Sequence, residues 1–193
     1  MRVRTFVTAA VLLILTSASG FAQPSHTRGA PETFTANLNV TGAQAGAGAA
    51  TIQIDVTRYT PDADRTAVEN ALKSGGYPAF VQAVRKAPEV GSVSVGDQKF
   101  AIRWAREVSG AKGRTITLVT DKPVFFVGGG RVDAKPREGY EVAVIRMEVD
   151  DVGLGNGVMA AAARVKPGAE GGVEIDDYGD KPIKLVTIVR KIK

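Results

Sequence analysis

No cysteine occurs anywhere in the 193 residues, and the only histidine is His26. Without a thiol the chain can form neither a disulfide nor a thiolate nucleophile. A body without histidine cannot assemble a Ser/His/Asp triad, or a zinc site of imidazole and thiolate ligands. Carboxylates alone remain as ligands, which narrows the candidate metals to hard ions such as calcium and magnesium, and the residues call for no cofactor. Lipid attachment through an N-terminal cysteine is excluded on the same ground. Long apolar runs are missing too. The run Phe6 to Leu15 covers about ten residues, against the roughly 20 that a membrane-spanning helix needs.

That short run has the surroundings of an export signal. Arg2 and Arg4 precede it, and the small residues of Thr16 to Ala22 follow it. The pattern predicts a signal peptide over 1–22, cut after Ala22 with Gly20 at the minus-three position; a cut after Ala18, with Thr16 at that position, is the alternative. Val3 separates the two arginines, so the general secretory route fits better than a twin-arginine one. The expectation is an exported protein, periplasmic or extracellular, with no transmembrane segment after signal cleavage. An exported chain free of cysteine needs no oxidative folding, which favours a bacterial envelope.

Charge excludes another class. The chain carries 25 Lys and Arg against 20 Asp and Glu, and removal of Arg2 and Arg4 leaves 23 against 20. Both signs are interspersed, as at Glu69, Lys73, Arg85, Lys86 and Glu89, so no basic stripe of the kind that binds nucleic acid is present.

Residues 23–32 read as a flexible mature N-terminus, and 33–193 as a single β-rich domain large enough to bury a core without disulfides. Phe34, Ala36, Leu38 and Val40 alternate with polar residues, as do Ile52, Ile54 and Val56, giving two strands around the low-complexity segment Gly42 to Ala50. A helical hairpin is expected at about 61–87. Thr60 is placed to cap its first turn, Pro61 to open it, Ser74, Gly75 and Gly76 to stop the first helix, and Pro78 to start the second.

Strands follow. Val93 and Val95 lead through a turn at Gly96 and Asp97 to Phe100, Ile102 and Trp104, which alternate with Ala101, Arg103 and Ala105. Ile116 with Leu118, Val124 to Val127, Tyr140 to Val149, Val158 to Val165, Val173 with Ile175, and Lys184 to Ile192 supply the rest. Tyr140 to Val149 is apolar on both faces at its centre and should lie deepest. The alanines of Val158 to Val165 allow a helix, but flanking glycines favour a strand of small residues in a crowded interior. The fold class is mainly β (α+β): an antiparallel β-barrel or sandwich of about nine strands with an inserted helical hairpin.

Candidate sites are few. Phe100, Trp104, Phe125, Phe126 and Tyr140, if several face one interior, would line an apolar cavity for a hydrophobic small molecule. The ordinary reading of the same residues is a packed core. Asp176, Asp177 and Asp180, with Glu174, are candidates for calcium, as are Asp150 and Asp151, but neither group has the spacing of a calcium loop, and aspartates at strand ends ordinarily make turns. Gly153, Gly155 and Gly157 fail the dinucleotide pattern because Val158 stands where its third small residue belongs, and Gly128 to Gly130 lacks the lysine of a nucleotide loop.

The phrases YTPDADR at Tyr59 to Arg65, GGYPAF at Gly75 to Phe80, DKPVFFVGGG at Asp121 to Gly130 and DDYGDKPIKLV at Asp176 to Val186 resemble an uncharacterised family of exported bacterial proteins. The resemblance spans most of the mature chain and implies export without implying an activity. The sequence therefore points to a secreted, non-enzymatic binding protein with a hydrophobic small molecule in a barrel interior. An envelope module with a filled core that docks another envelope protein or a glycan is the alternative. A carboxylate-based enzyme stands behind both.

Overall fold

The computed structural model describes residues 29–39, 50–125, 137–169 and 171–191. The signal segment, His26, most of the glycine- and alanine-rich segment after Val40, Phe126 and Gly128 to Gly130 lie outside them. The described chain runs through β1 (Glu32–Asn39), β2 (Ala50–Val56), α1 (Asp62–Lys86), β3 (Gly91–Val95), β4 (Gln98–Gly110), β5 (Gly113–Thr120), β6 (Val142–Val149), β7 (Leu154–Pro167), β8 (Val173–Asp177) and β9 (Ile183–Lys191).

Eight of these strands close into an antiparallel barrel in the order β1-β2-β3-β4-β5-β6-β7-β9, with β9 returning to β1. The choice between barrel and sandwich thus falls to the barrel, and closure removes the open edges that a sandwich would keep. Strand β8 pairs with β7 outside the ring.

Period-two alternation assigns the side chains. Phe34, Ala36, Leu38, Ile52, Ile54, Phe100, Ile102, Ile116, Leu118, Ile145, Met147 and Leu185 belong to one inner cluster. Thr35, Asn37, Gln53 and Asp55, at the intervening positions, are partly exposed or exposed. Apolar in and polar out is the reverse of a membrane-spanning barrel, and among the described residues no helix is long and apolar enough to cross a membrane. Phe34, Ile52, Ile54, Ile102, Ile116, Leu118 and Ile145 have 0 % exposed surface. A cavity able to hold a water molecule would leave exposed surface on its lining, so the central lumen is packed around them.

Alternation breaks at bulges, and one of them overturns an expectation. In β4 the register against β5 shifts between Ile102 and Trp104. Phe100 and Ile102 face the lumen, but the extra residue swings Trp104 to the outer wall, and the inward series resumes at Ala105. A second shift, between Thr35 and Asn37 of β1, falls opposite Thr187 of β9, which adopts a φ of 53°.

The outer wall around Trp104 is covered by α1. Val68, Leu72, Phe80, Val81 and Val84 of the helix pack on Trp104, Val119, Val142, Val144, Ala160 and Ala163. This cover explains why Val142 to Ile145 is wholly buried on both faces. It also gives the alanines of β7 their purpose, since small side chains let the helix approach the sheet. The expected helical hairpin is carried as one element interrupted at Gly76 (φ 67°, ψ −165°), with Pro78 two residues on. Thr60 does not cap it. Its hydroxyl accepts from the Ala105 amide at 2.8 Å, tying the helix entrance to β4, and Pro61 occupies the cap position without a side-chain bond. Val124 belongs to no strand. Its amide donates to the Ala161 carbonyl at 2.8 Å and its side chain joins the inner cluster.

One end of the lumen is closed by charge. Glu32 on β1 and Arg114 on β5 stand four strands apart in an eight-strand ring, so their pairing crosses the barrel. Arg114 donates to both oxygens of Glu32, Nη2 to Oε1 at 2.6 Å and Nη1 to Oε2 at 3.0 Å, and the two side chains are only 3 % and 4 % exposed. Tyr59 donates to Glu32 Oε2 at 2.9 Å, Arg190 reaches Oε1 at 3.2 Å, and Glu107 accepts from Arg114 at 2.7 Å. The Arg114 guanidinium lies 5.9 Å above the Phe34 ring, where charge gives way to the apolar lumen.

Burial pushes the Glu32 carboxyl up, but hydrogen bonds from Arg114 and Tyr59 and the guanidinium charge outweigh it, holding it below the usual carboxylate range. A depressed folded value stabilises the fold above the unfolded value near 4.5, and that stability is lost as pH falls through the folded value. Glu32→Gln is expected to cost about 3 kcal/mol in urea unfolding at pH 7, because it leaves Arg114 buried without its counter-charge. It should also flatten the acid limb of the stability profile. The double change Glu32→Leu with Arg114→Met should recover most of the loss. A single variant as stable as the parent would show that the plug contributes nothing.

Candidate functional site

The five aromatic candidates do not converge. Phe100 faces the lumen near the end opposite the charged plug, with the Lys122 ammonium 5.2 Å from its ring centre. Trp104 stands on the outer wall beneath α1. Phe125 is half-buried in the connection after β5, and Phe126 lies outside the described residues. Tyr140 precedes β6 on the outside, its hydroxyl donating to Asp177 at 2.6 Å, with the guanidiniums of Arg137 and Arg164 at 3.9 and 5.4 Å from its ring centre.

The acidic candidates are occupied by protein partners. Asp177 accepts from Tyr140 and from the Gly179 amide, and these bonds hold its carboxyl below the ordinary value. Asp176 pairs with Arg164 at 3.7 Å and Lys166 at 3.9 Å, and Asp180 accepts from the Lys181 amide. Asp150 accepts from the amides of Val152 and Leu154, a turn of the ordinary Asx kind. Among the described residues no group of three or more carboxylates is placed to hold a metal ion.

What the fold does assemble is a groove on the outer wall. Strand register builds its floor in rows. Trp104 pairs with Val119 and Val119 with Val144; one step along, Arg106 pairs with Thr117 and Thr117 with Arg146; a further step gives Val108 opposite Thr115. The middle row sets two guanidiniums on either side of a hydroxyl, their Cα atoms roughly 9 to 10 Å apart at two strand spacings. The first row is covered by α1 and the later rows are not.

The β7–β8 hairpin makes the wall. Strand β7 extends beyond the barrel to pair with β8, and Val165 and Val173 bring this extension onto the same outer cluster as Trp104. Ala169, Gly171, Val173 and Glu174 thereby face Trp104, Arg106, Val108, Thr115, Thr117 and Arg146 across a groove of about 360 Å³. That volume is in the range of small-molecule sites. Gly172 permits the close approach. Its φ is 83°, and a Cβ there would strike the Arg106 guanidinium, so the hairpin backbone holds Arg106 against the floor.

One buried atom of a lining residue lacks a hydrogen-bond partner. The Nε1 of Trp104 is buried and makes no hydrogen bond among the described residues. An unpaired buried indole N–H costs roughly 1 to 3 kcal/mol. Glu69 of α1, whose carboxylate lies beside Gly171, also keeps one buried oxygen without a hydrogen bond. That Glu69 oxygen lies 3.6 Å from Arg65 Nε, so the ion pair and not a hydrogen bond compensates it.

Sequence reasoning singled out Trp104, weighed Glu174 only as a calcium candidate, and missed Arg106, Thr117 and Arg146. Thr115 and Thr117 show the alternation of an outward face, but which arginines flank them depends on the register of three strands. Comparison of the chain with protein-family models, with curated proteins and with solved structures returns no match. The groove therefore has to be read from its own chemistry.

Gly172→Ala tests how the wall holds the floor. It should lower stability by about 1 kcal/mol for the positive φ and displace Arg106, shifting the emission of Trp104, the one tryptophan of the chain. An unchanged emission spectrum would contradict the contact.

Proposed function

We propose that this chain is an exported, non-enzymatic binding protein whose barrel is a rigid support for the groove beside Trp104. The carrying observation is the groove of about 360 Å³ between the outer rows of β4, β5 and β6 and the β7–β8 hairpin, with Trp104 in its lining. Closure and lumen packing fix the three strands that supply the floor, so the site is held ready before a ligand arrives. The signal pattern of Arg2, Arg4 and Phe6 to Leu15 supports export, and the absence of cysteine supports an envelope or external setting that needs no oxidative folding. The engagement of the acidic candidates in turns and ion pairs favours binding over catalysis.

A second reading keeps a hydrophobic small molecule in the lumen. It rests on the slight exposure of Leu38, Val95, Phe100 and Ile183, which gather at the end away from the charged plug, while the centre is packed. An eight-strand barrel has room for one small ligand when its side chains leave space.

Native mass measurement of the protein recovered from the envelope or medium of its own cells separates the two. The groove reading predicts a processed chain starting near Gln23 with an adduct that is lost on denaturation. The adduct should also be missing from Thr117→Phe, which fills the middle row. An adduct retained by Thr117→Phe would move the ligand to the lumen, and a bare processed chain would contradict a stably held small ligand.

A further inference from the structure

A second hollow lies beside Phe100, at the end of the barrel away from the charged plug, and we propose that it binds the doubly charged phosphate group of a phosphomonoester. This site is independent of the groove beside Trp104, which lies toward the other end of β4. Three elements meet in it. Arg85 comes from the last turn of α1, Lys99 and Ala101 from the start of β4, and Asp121 and Lys122 from the segment after β5; together they line about 470 Å³.

One brace holds these elements in place. Arg103 donates through Nε to the Asp121 carboxylate at 3.0 Å and through Nη1 to the Ala87 carbonyl at 3.3 Å, which ties the exit of α1 to the end of β5. Arg85 Nε reaches the Asp121 carbonyl at 3.5 Å, and the Lys122 ammonium sits 5.2 Å from the centre of the Phe100 ring, which orients it without neutralising it. Asp121, the one carboxylate in the lining, is thus taken up by Arg103. Among the described residues Arg85, Lys99 and Lys122 form no ion pair.

The neighbouring acids do not change that balance. Glu89 and Asp97 are exposed and stand outside the lining. Asp55 pairs with Ser92 and Ser92 with Ala101, so it is two strand spacings away, roughly 9 to 10 Å, and its oxygens accept from Thr33 and Gln53. The carbonyl end of α1 contributes about half a negative charge. The surplus of three cations is larger than one carboxylate or one sulfate ester can meet, whereas a phosphomonoester brings about two charges near neutral pH, with three strong acceptor oxygens. Two lysines supply mobile point charges and the arginine a fork, a donor set suited to those oxygens.

The test is calorimetric titration of the full processed chain with glycerol 3-phosphate and with glycerate, its singly charged counterpart, at about pH 8, where the ester carries both charges. Beside it runs sedimentation with phosphatidylcholine vesicles that contain phosphatidate or, as the singly charged counterpart, phosphatidylglycerol. The phosphomonoester should bind tenfold or more tightly than its counterpart. Binding of glycerol 3-phosphate would assign the site to a soluble ligand, and binding of phosphatidate vesicles alone to a lipid headgroup. The double change Lys99→Gln with Lys122→Gln should weaken that binding at least tenfold while the thermal midpoint stays within about 2 °C of the parent, surface changes being close to neutral for stability. Lys112→Gln, which removes an exposed charge from the β4–β5 turn, should leave it unchanged. Equal binding of the singly charged counterparts, or an equal loss in Lys112→Gln, would reduce the effect to general attraction and overturn the proposal. Absence of binding in both formats would overturn the site itself, and the groove beside Trp104 would stand or fall on its own test.

Discussion

Eight strands close around a lumen with room for little more than their own inward side chains, and that limit governs the rest of the molecule. Phe34, Phe100, Met147, Met159 and the isoleucines and leucines of six strands already occupy it. Trp104, the largest side chain of the chain, is on the outside because one extra residue in β4 reverses its direction. A tryptophan on an outer wall must be covered, and α1 covers it. The same helix then buries the outward faces of β6 and β7, which is why those strands are apolar on both sides. Where the helix stops, the outer rows of β4, β5 and β6 stay open, and the β7–β8 hairpin turns them into a groove.

The charged plug closes the lumen by a different means. Glu32 and Arg114 come from opposite sides of the ring, so they meet only when β9 pairs with β1 and every strand between holds its register. Desolvating two charges is expensive, and the bidentate contact with Tyr59, Glu107 and Arg190 around it leaves no oxygen of Glu32 unpaired. Such a pair contributes specificity of closure more than net stability. Burial also drives the Tyr59 hydroxyl far above its ordinary value, so it remains a donor to Glu32 at all physiological pH.

Much of this was legible in the sequence, and the limits have physical causes. Alternation placed strands at Phe34 to Leu38 and at Ile52 to Val56, and flanking glycines placed one along Val158 to Val165, where small residues under a helix imitate helical composition. The turn at Gly96 and Asp97 and the break at Gly76 were visible because glycine marks positive φ. The orientation of Trp104 was not, because a bulge is set by the pairing of two strands and leaves no mark on one. Thr60 misled because its hydroxyl serves β4, 45 residues away along the chain. The groove was hidden for the same reason as the bulge. Arg106, Thr117 and Arg146 are ordinary surface residues until register aligns them, and Glu174 joins them only through the fold of a hairpin.

With the lumen sealed by charge at one end and packed at its centre, the recognition surface we propose is the outer wall. We propose that recognition is centred on the groove beside Trp104. The most direct measurement is the nitrogen–proton correlation spectrum of the labelled protein, in which the chain gives one indole signal. It would be recorded before and after addition of the molecule released from native protein. The indole signal is expected to move, together with the amides of Arg106, Thr117 and Arg146. A stationary indole signal, with shifts confined to Leu38, Val95, Phe100 and Ile183, would place the ligand in the lumen and contradict the account.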